Sequence, residues 1–257
     1  MRILLNIAYV GTNYSGWQSQ KNKNTIEDII EKTYKNKLGE DIKLFASGRT
    51  DAGVHAFNQC AHFDTKLKIH PEKFATILNK VLPNDIRVIK SSLVSNDFHA
   101  RFDVKKKTYL YKLYMSQEEN PFKYERALHI DHFLDVDNMI KASKEFIGTH
   151  DFTSFCKAVS NQKDCTRTIY DIIIKKLNNK IHIEITGNGF LHNMVRIIVG
   201  TLIDAGSNKL SSNDIREILK NKDRTKASKT VPAYALYLKD VEYWHKKIFM
   251  ILFKKLI

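Results

Sequence analysis

Cysteine is scarce and unpatterned. Cys60, Cys156 and Cys165 are odd in number and far apart, with no Cys-x-x-Cys. Neither a disulfide framework nor a thiolate-held zinc is indicated. Long apolar runs are also missing, and nothing approaches the ~20 residues that cross a bilayer. The opening Met1-Arg2-Ile3-Leu4-Leu5-Asn6 is broken by Asn6 and lacks a small-residue cleavage site. It reads as a first strand, not a signal peptide, so a cytoplasmic protein with no membrane partner is expected. His129-Ile130-Asp131-His132 has no third ligand cluster at useful spacing, and no metal is assigned to it. Gly187-Asn188-Gly189 begins like a dinucleotide fingerprint, but His192 stands where the third glycine belongs, and that reading is rejected. No sequence repeat is found.

Acidic residues are in deficit, 28 Asp and Glu against 42 Lys and Arg, which leaves a formal charge of +14. Such an excess points to a polyanionic partner held through salt-sensitive phosphate contacts. The many Lys, Asn and Ile also fit the bias of an AT-rich genome. With 257 residues, 43% of them hydrophobic, the chain has enough material for two packed halves.

The pattern predicts a strand over Arg2–Val10, a helix over Ile26–Leu38 opened by Thr25 and stopped by Gly39, and strands Ile42–Ala46 and Val54–Asp64. A helix starting at Pro71 (Phe74, Ile77, Leu78 and Val81 on one face) and a strand over Ile86–Ser92 follow. Strand–helix–strand–strand–helix–strand is the order of a ferredoxin-like split βαβ unit. After a junction near Val104 come a strand to Tyr114, a helix over Asp137–Phe146 and a hairpin of Thr166–Lys176 and Lys180–Gly187. A long helix buries Leu191, Met194, Val195, Ile198 and Leu202, with His192 and Arg196 four apart on a neighbouring face. Ser212 is expected to cap a further helix to Lys220. A basic loop, Asn221–Thr230, is read as mobile, and Ile248–Ile257 as a final strand or helix. The expected halves are residues 1–104 and 105–257.

The chemistry concentrates in Ala46-Ser47-Gly48-Arg49-Thr50-Asp51-Ala52-Gly53-Val54-His55-Ala56. It is a tight connection between strands with a carboxylate at its centre. Arg49 stands two residues before Asp51, which in extended chain points both side chains the same way, and a nearby cation keeps a carboxylate ionised. An ionised carboxylate on a rigid loop serves as nucleophile or general base. The plainer alternative is that Asp51 caps the turn while Arg49 is solvated.

Other stretches carry weaker signals. Tyr14 and Trp17, in the loop Gly11–Gln20, either stack on bases or roof the core. His99, in Phe98-His99-Ala100-Arg101-Phe102, is read as a structural histidine. Lys105-Lys106-Lys107 is either a solvated face or a guide for phosphates leading into the strand of Tyr109. Asn188 and His192 lie near a helix N-terminus, where RNA phosphate is favoured.

Gly48–Ala56 resembles the active-site signature of the tRNA pseudouridine synthase A family. The resemblance extends to Gly16-Trp17-Gln18, Phe98–Phe102, Lys107-Thr108-Tyr109, His150–Phe155, Phe190-Leu191-His192-Asn193-Met194-Val195-Arg196 and Val231–Leu238. Two positions depart from the family pattern: Val10 replaces an acid and Ala235 a glycine. The resemblance implies that Asp51 is the catalytic residue, with Arg49 expected beside it as the cation that keeps it ionised. It further implies that Tyr109 stacks on the target base, that Arg196 lies at the active site, and that Leu236 lines the pocket opposite the tyrosine. A flipped uracil needs such a flat surface to recover part of its lost stacking, worth a few kcal/mol. Also implied are an α+β fold of two ferredoxin-like halves sharing a mixed, mostly antiparallel sheet with a central RNA-binding cleft. The remaining expectations are a homodimer, no cofactor, and action on tRNA uridines at positions 38, 39 and 40 of the anticodon stem-loop. The rivals are a paralogue acting on another RNA such as ribosomal RNA, or a non-catalytic RNA-binding module.

Overall fold

The computed structural model describes residues 1–157 and 164–244. The segment Ile248–Ile257, expected as a final element, lies outside them. Strands and helices alternate along the chain in an α+β arrangement, as expected. Among the described residues no helix is long and apolar enough to cross a membrane. Among the described residues two compact units form, one holding Met1–Lys106 and residues 237–244, the other lying within Lys107–Leu236.

In the first unit β1 (Arg2–Tyr9) lies between β3 (His55–Asp64) and β4 (Ile86–Val94), antiparallel to both. The short β2 (Phe45–Ala46) pairs with the far end of β3 at His62 and Ala61. The order β4-β1-β3-β2 is that of the split βαβ unit. A later strand, β10 (Leu236–Tyr243), runs parallel to the start of β3, pairing Tyr237 with His55 and Leu238 with Ala56. Ile3, Leu5 and Ile7 of β1 are fully buried. Helix α1 (Ile26–Leu38) contributes Ile26, Ile30 and Tyr34, and α2 (Lys73–Asn79) contributes Phe74 and Leu78. Tyr34 meets Phe63 edge-on at 5.1 Å between ring centres. Thr25 Oγ1 accepts the Asp28 N–H to cap α1, and Gly39 ends it at φ 75°.

In the second unit β5 (Val104–Met115, from Lys107 onward), β9 (Lys180–Gly187), β8 (Thr166–Leu177) and β7 (Gly148–Asp151) are antiparallel neighbours in that order. β6 (Leu128–Ile130) adds parallel to β5. Ile181, Ile183 and Ile185 of β9 are fully buried, as are Met139 of α3 (Val136–Ser143) and Ile197, Ile198 and Leu202 of α4 (Met194–Gly206). Helix α5 (Ser212–Asn221) follows.

Several element bounds shift for local reasons. The cap of α5 is Ser211, not Ser212, because Ser211 and Asp214 complete a reciprocal capping box. α2 stops at Asn79, so Val81 falls beyond it and is exposed. α4 starts at Met194 because Asn193 adopts φ 63°, which leaves Leu191 and His192 ahead of the helix. The basic loop after α5 forms a 3-10 turn over Arg224–Lys226, and Arg224 donates to Ala227 O and Thr230 Oγ1, both at 3.1 Å.

Candidate active site

The Asp51 loop is gripped from several sides within the first unit. Ser47 N donates to Cys60 O at 2.7 Å and Gln59 Nε2 to Gly48 O at 2.9 Å, fastening the stretch before Asp51 onto β3. On the other side, Trp17 N donates to Thr50 O at 3.1 Å and Gly53 N to Tyr14 O at 3.3 Å. Val54 N closes the turn onto Asp51 O at 3.2 Å. Gly16 has φ 93°, and a Cβ there would stand 2.6 Å from Thr50 O, so only glycine allows this approach. Gly11 packs as tightly on Val54, and its N–H donates to His55 Nδ1 at 2.9 Å. That bond fixes His55 Nδ1 as an acceptor.

Asp51 itself is half-buried, at the head of the turn that Val54 N closes. Arg49 is exposed, and among the described residues no ion pair joins it to Asp51. An exposed pair gains little over hydration, which leaves the long guanidinium stem in water. Tyr14 and Trp17 are buried and roof the core; Tyr14 donates to Asp85 Oδ1 at 2.6 Å.

The second unit carries the other three residues. Tyr109 is on β5 opposite Ile185 of β9, half-buried, with Phe190 edge-on at 5.2 Å. Arg196, in the first turn of α4, donates from Nε to Val231 O at 2.7 Å and from Nη1 to Asn193 Oδ1 at 2.9 Å. Tyr111, two residues beyond Tyr109, is fully buried and donates to Pro232 O at 3.0 Å. Helix α4 and strand β5 thus hold one segment, Val231-Pro232, from two directions. That segment leads through the turn Ala233–Ala235 to Leu236, which is buried at the start of β10. Tyr109, Arg196 and Leu236 therefore belong to one packed unit, and Arg49 and Asp51 to the other. Ala235 is fully buried, so its methyl group is accommodated.

The remaining candidates have structural partners. His99 Nδ1 accepts from Arg101 N at 3.1 Å, and its ring lies 4.8 Å from that of His62. His62 is buried, with Nδ1 accepting from Ala100 N at 3.1 Å. Burial, together with the charges of Arg2 and His99, pulls His62 from 6.5 down to about 4. Lys105 and Lys106 both pair with Glu242, at 3.0 and 2.9 Å. Asn188 Oδ1 accepts from Thr168 N at 3.0 Å, a hairpin role. His129 is bonded to Ser116 O at 2.8 Å, and His132 to Asp131 and Ser207 at 2.8 and 3.0 Å. Sequence reading passed over Tyr9, His55 and Gln59. The available signal was a buried-strand pattern interrupted by polar groups, since Gln59 faces a core that includes Ile7, its register partner.

The model of the tRNA pseudouridine synthase family matches residues 6–103 and 142–244. The protein named tRNA pseudouridine synthase A from Caldicellulosiruptor saccharolyticus is 47% identical over 241 residues, covering 94% of this chain and 99% of that one. The namesake from Acetivibrio thermocellus is 43% identical with the same coverage. A Clostridium tetani protein named tRNA pseudouridine synthase A 2 is 46% identical over 243 residues, 94% of this chain and 98% of its own. Matches of that extent show that the chain belongs to the tRNA pseudouridine synthase family.

Proposed function

We infer that this chain is an isomerase that converts uridine to pseudouridine in tRNA, at positions 38, 39 and 40 of the anticodon stem-loop, with Asp51 as its catalytic residue. The reaction breaks the N1–C1′ bond, turns the base and rejoins it to C1′ through C5. The C5 proton leaves to solvent and N1 gains one, so the balance needs no oxidant or reductant. Asp51 attacks the ribose or the base, or removes the ribose 2′ proton. Tyr109 gives the extruded ring a stacking face, and Leu236 gives it an apolar one. Arg196 assists the carboxylate or a phosphate, and the exposed Arg49 meets the RNA beside Asp51. Affinity comes mostly from Lys and Arg on a chain of net charge +14. The enzyme works as a homodimer.

The observation that carries this reading is a half-buried Asp51 whose flanking residues Gly48, Thr50 and Gly53 are bonded to Gln59, Trp17 and Tyr14. Such a group is pre-positioned, and a misplacement of ~1 Å can cost on the order of 100-fold in rate.

Asp51→Ala is expected to abolish tritium release from tRNA labelled at uridine C5 while tRNA binding stays largely intact. Persistent release from purified Asp51→Ala protein would falsify the assignment. Pseudouridine mapping in a deletion strain assigns the RNA. Loss at 38, 39 and 40 is expected; loss in ribosomal RNA alone redirects the substrate, and no loss leaves a non-catalytic RNA-binding module. Analytical ultracentrifugation reads the oligomer, and a monomer at assay concentration removes the dimer from the proposal.

A further inference from the structure

We propose that Tyr9 and Gln59 are positioning residues for Asp51, acting through Thr50 and Gly48 from beneath the loop and never touching RNA. This rests on Asp51 being the catalytic residue. Tyr9 is buried, and its hydroxyl lies 2.7 Å from Thr50 Oγ1, one residue before Asp51. The Gln59 side chain reaches the same hydroxyl. Gln59, itself fully buried, accepts from Ser47 Oγ at 2.7 Å and from Cys60 N at 3.2 Å, and donates to Gly48 O at 2.9 Å. Thr50 and Ser47 are buried as well.

Four polar side chains under one short loop would burden a fold if any were left unsatisfied. Here each has a partner among the others or in the backbone of the loop itself, and a fully satisfied buried network rigidifies what it touches. Thr50 is held at both ends, its hydroxyl by Tyr9 and its carbonyl by Trp17 N. With Gly48 O tied to Gln59 and Thr50 O to Trp17 N, two of the peptide planes leading into Asp51 are held. The outcome is directional: Thr50 is anchored into the core by its hydroxyl and its carbonyl, which sets the chain direction at the residue that follows, Asp51. Thr50 is buried, while Arg49 before it is exposed and Asp51 after it half-buried. The network sets the direction of the carboxylate without sharing its surface.

The test measures tRNA pseudouridylation by Tyr9→Phe, Thr50→Val, their double variant, Thr50→Ser and Asp51→Ala, each assayed well below its own melting temperature. Tyr9→Phe and Thr50→Val should each lower kcat about 10-fold or more with KM for tRNA unchanged, since misdirection impairs the chemical step and not the phosphate contacts. The double variant should be no worse than the poorer single, because both remove one bond. Thr50→Ser keeps the hydroxyl and should recover kcat to within about threefold. Wild-type kcat in Tyr9→Phe overturns the proposal, as does a loss shared between kcat and KM, which would mark general loosening. Residual activity in Asp51→Ala instead overturns the catalytic assignment on which this rests.

Discussion

The two units hold their candidate site residues in opposite ways. In the first, Asp51 sits on a loop with almost no regular structure of its own, and other elements bond to the main chain around it: Trp17, Tyr14, Gln59 and, through Thr50, Tyr9. In the second, Tyr109 and Arg196 ride on a strand and a helix that already satisfy their own backbones. Their neighbours or own side chains reach out to clamp the irregular segment Val231-Pro232. A loop fixed through its backbone depends on close approach and on residues that allow it. A segment fixed through long side chains tolerates more, because a side chain can shift. The first unit should therefore be the more brittle under substitution.

Gly16→Ala tests that contrast with the largest expected effect. The new methyl group would stand 2.6 Å from Thr50 O, at a backbone angle of φ 93° that alanine rarely adopts. The cost should be about 3 kcal/mol or more, read as a fall in the urea midpoint, with kcat reduced beyond 10-fold. Wild-type stability in Gly16→Ala would show the loop to be more compliant than its contacts indicate.

Acid should also strike the first unit. His62 accepts the Ala100 N–H through Nδ1, and its imidazole is held at about 4, below the ordinary 6.5, by burial first and then by Arg2 and His99. The unfolded chain thus takes up a proton near pH 6.5 that the folded chain refuses. The stabilising contribution is present in full above 6.5 and is lost as pH falls through the interval down to about 4. The total is on the order of 3 kcal/mol. Asp64, whose carboxyl is held low by its bond to Arg2, adds its loss at still lower pH. Urea titrations at several pH values should show a shallower decline in His62→Gln than in wild type; parallel declines would remove His62 from the acid response.

The local part of the fold was legible in the sequence, whereas the contrast itself was not, for physical reasons. The cap at Thr25, the stop at Gly39 and the apolar periodicity of α1 are local signals, and they hold in the structure. The stretch around Asp51 stood out through its resemblance to a family, since its residue types alone are also those of an ordinary turn. What the sequence concealed was long-range. Nothing near Tyr9 indicates that its hydroxyl will meet Thr50, and nothing near Gly16 tells which carbonyl it must clear. Asn193 broke the expected helix start because a left-handed residue ends local periodicity without changing its apolar pattern. The strands β6 and β7 are three and four residues long, too short to show alternation.

Arg196→Met brings the comparison to the second unit. It withdraws a charged donor from Val231 O and from Asn193 Oδ1, at a cost of roughly 2 kcal/mol. Calorimetry should register that loss, and turnover should fall at least 10-fold if Arg196 also serves the reaction. A stability loss with full turnover would leave Arg196 as a clamp alone.

The smallest effect is expected from Tyr111→Phe, and it discriminates best between the two modes of support. The substitution keeps the ring, which is fully buried, and removes only the hydroxyl that donates to Pro232 O. That carbonyl lies in a half-exposed segment, so water can take over part of the bond, and the loss should be about 1 kcal/mol, a few degrees in melting temperature. Arg196 still holds the adjacent Val231, so Leu236 should keep its place and kcat should fall less than threefold. Tyr9→Phe deletes the same atom from the same residue type, yet the hydroxyl it removes meets Thr50, the residue next to Asp51, and Gln59, which holds Gly48. The ratio of the two kcat losses thus measures how far backbone-held and side-chain-held sites differ. Equal losses would mean that Val231-Pro232 is as exacting a support as the Asp51 loop, and that Leu236 is needed at a fixed position, not merely as an apolar wall.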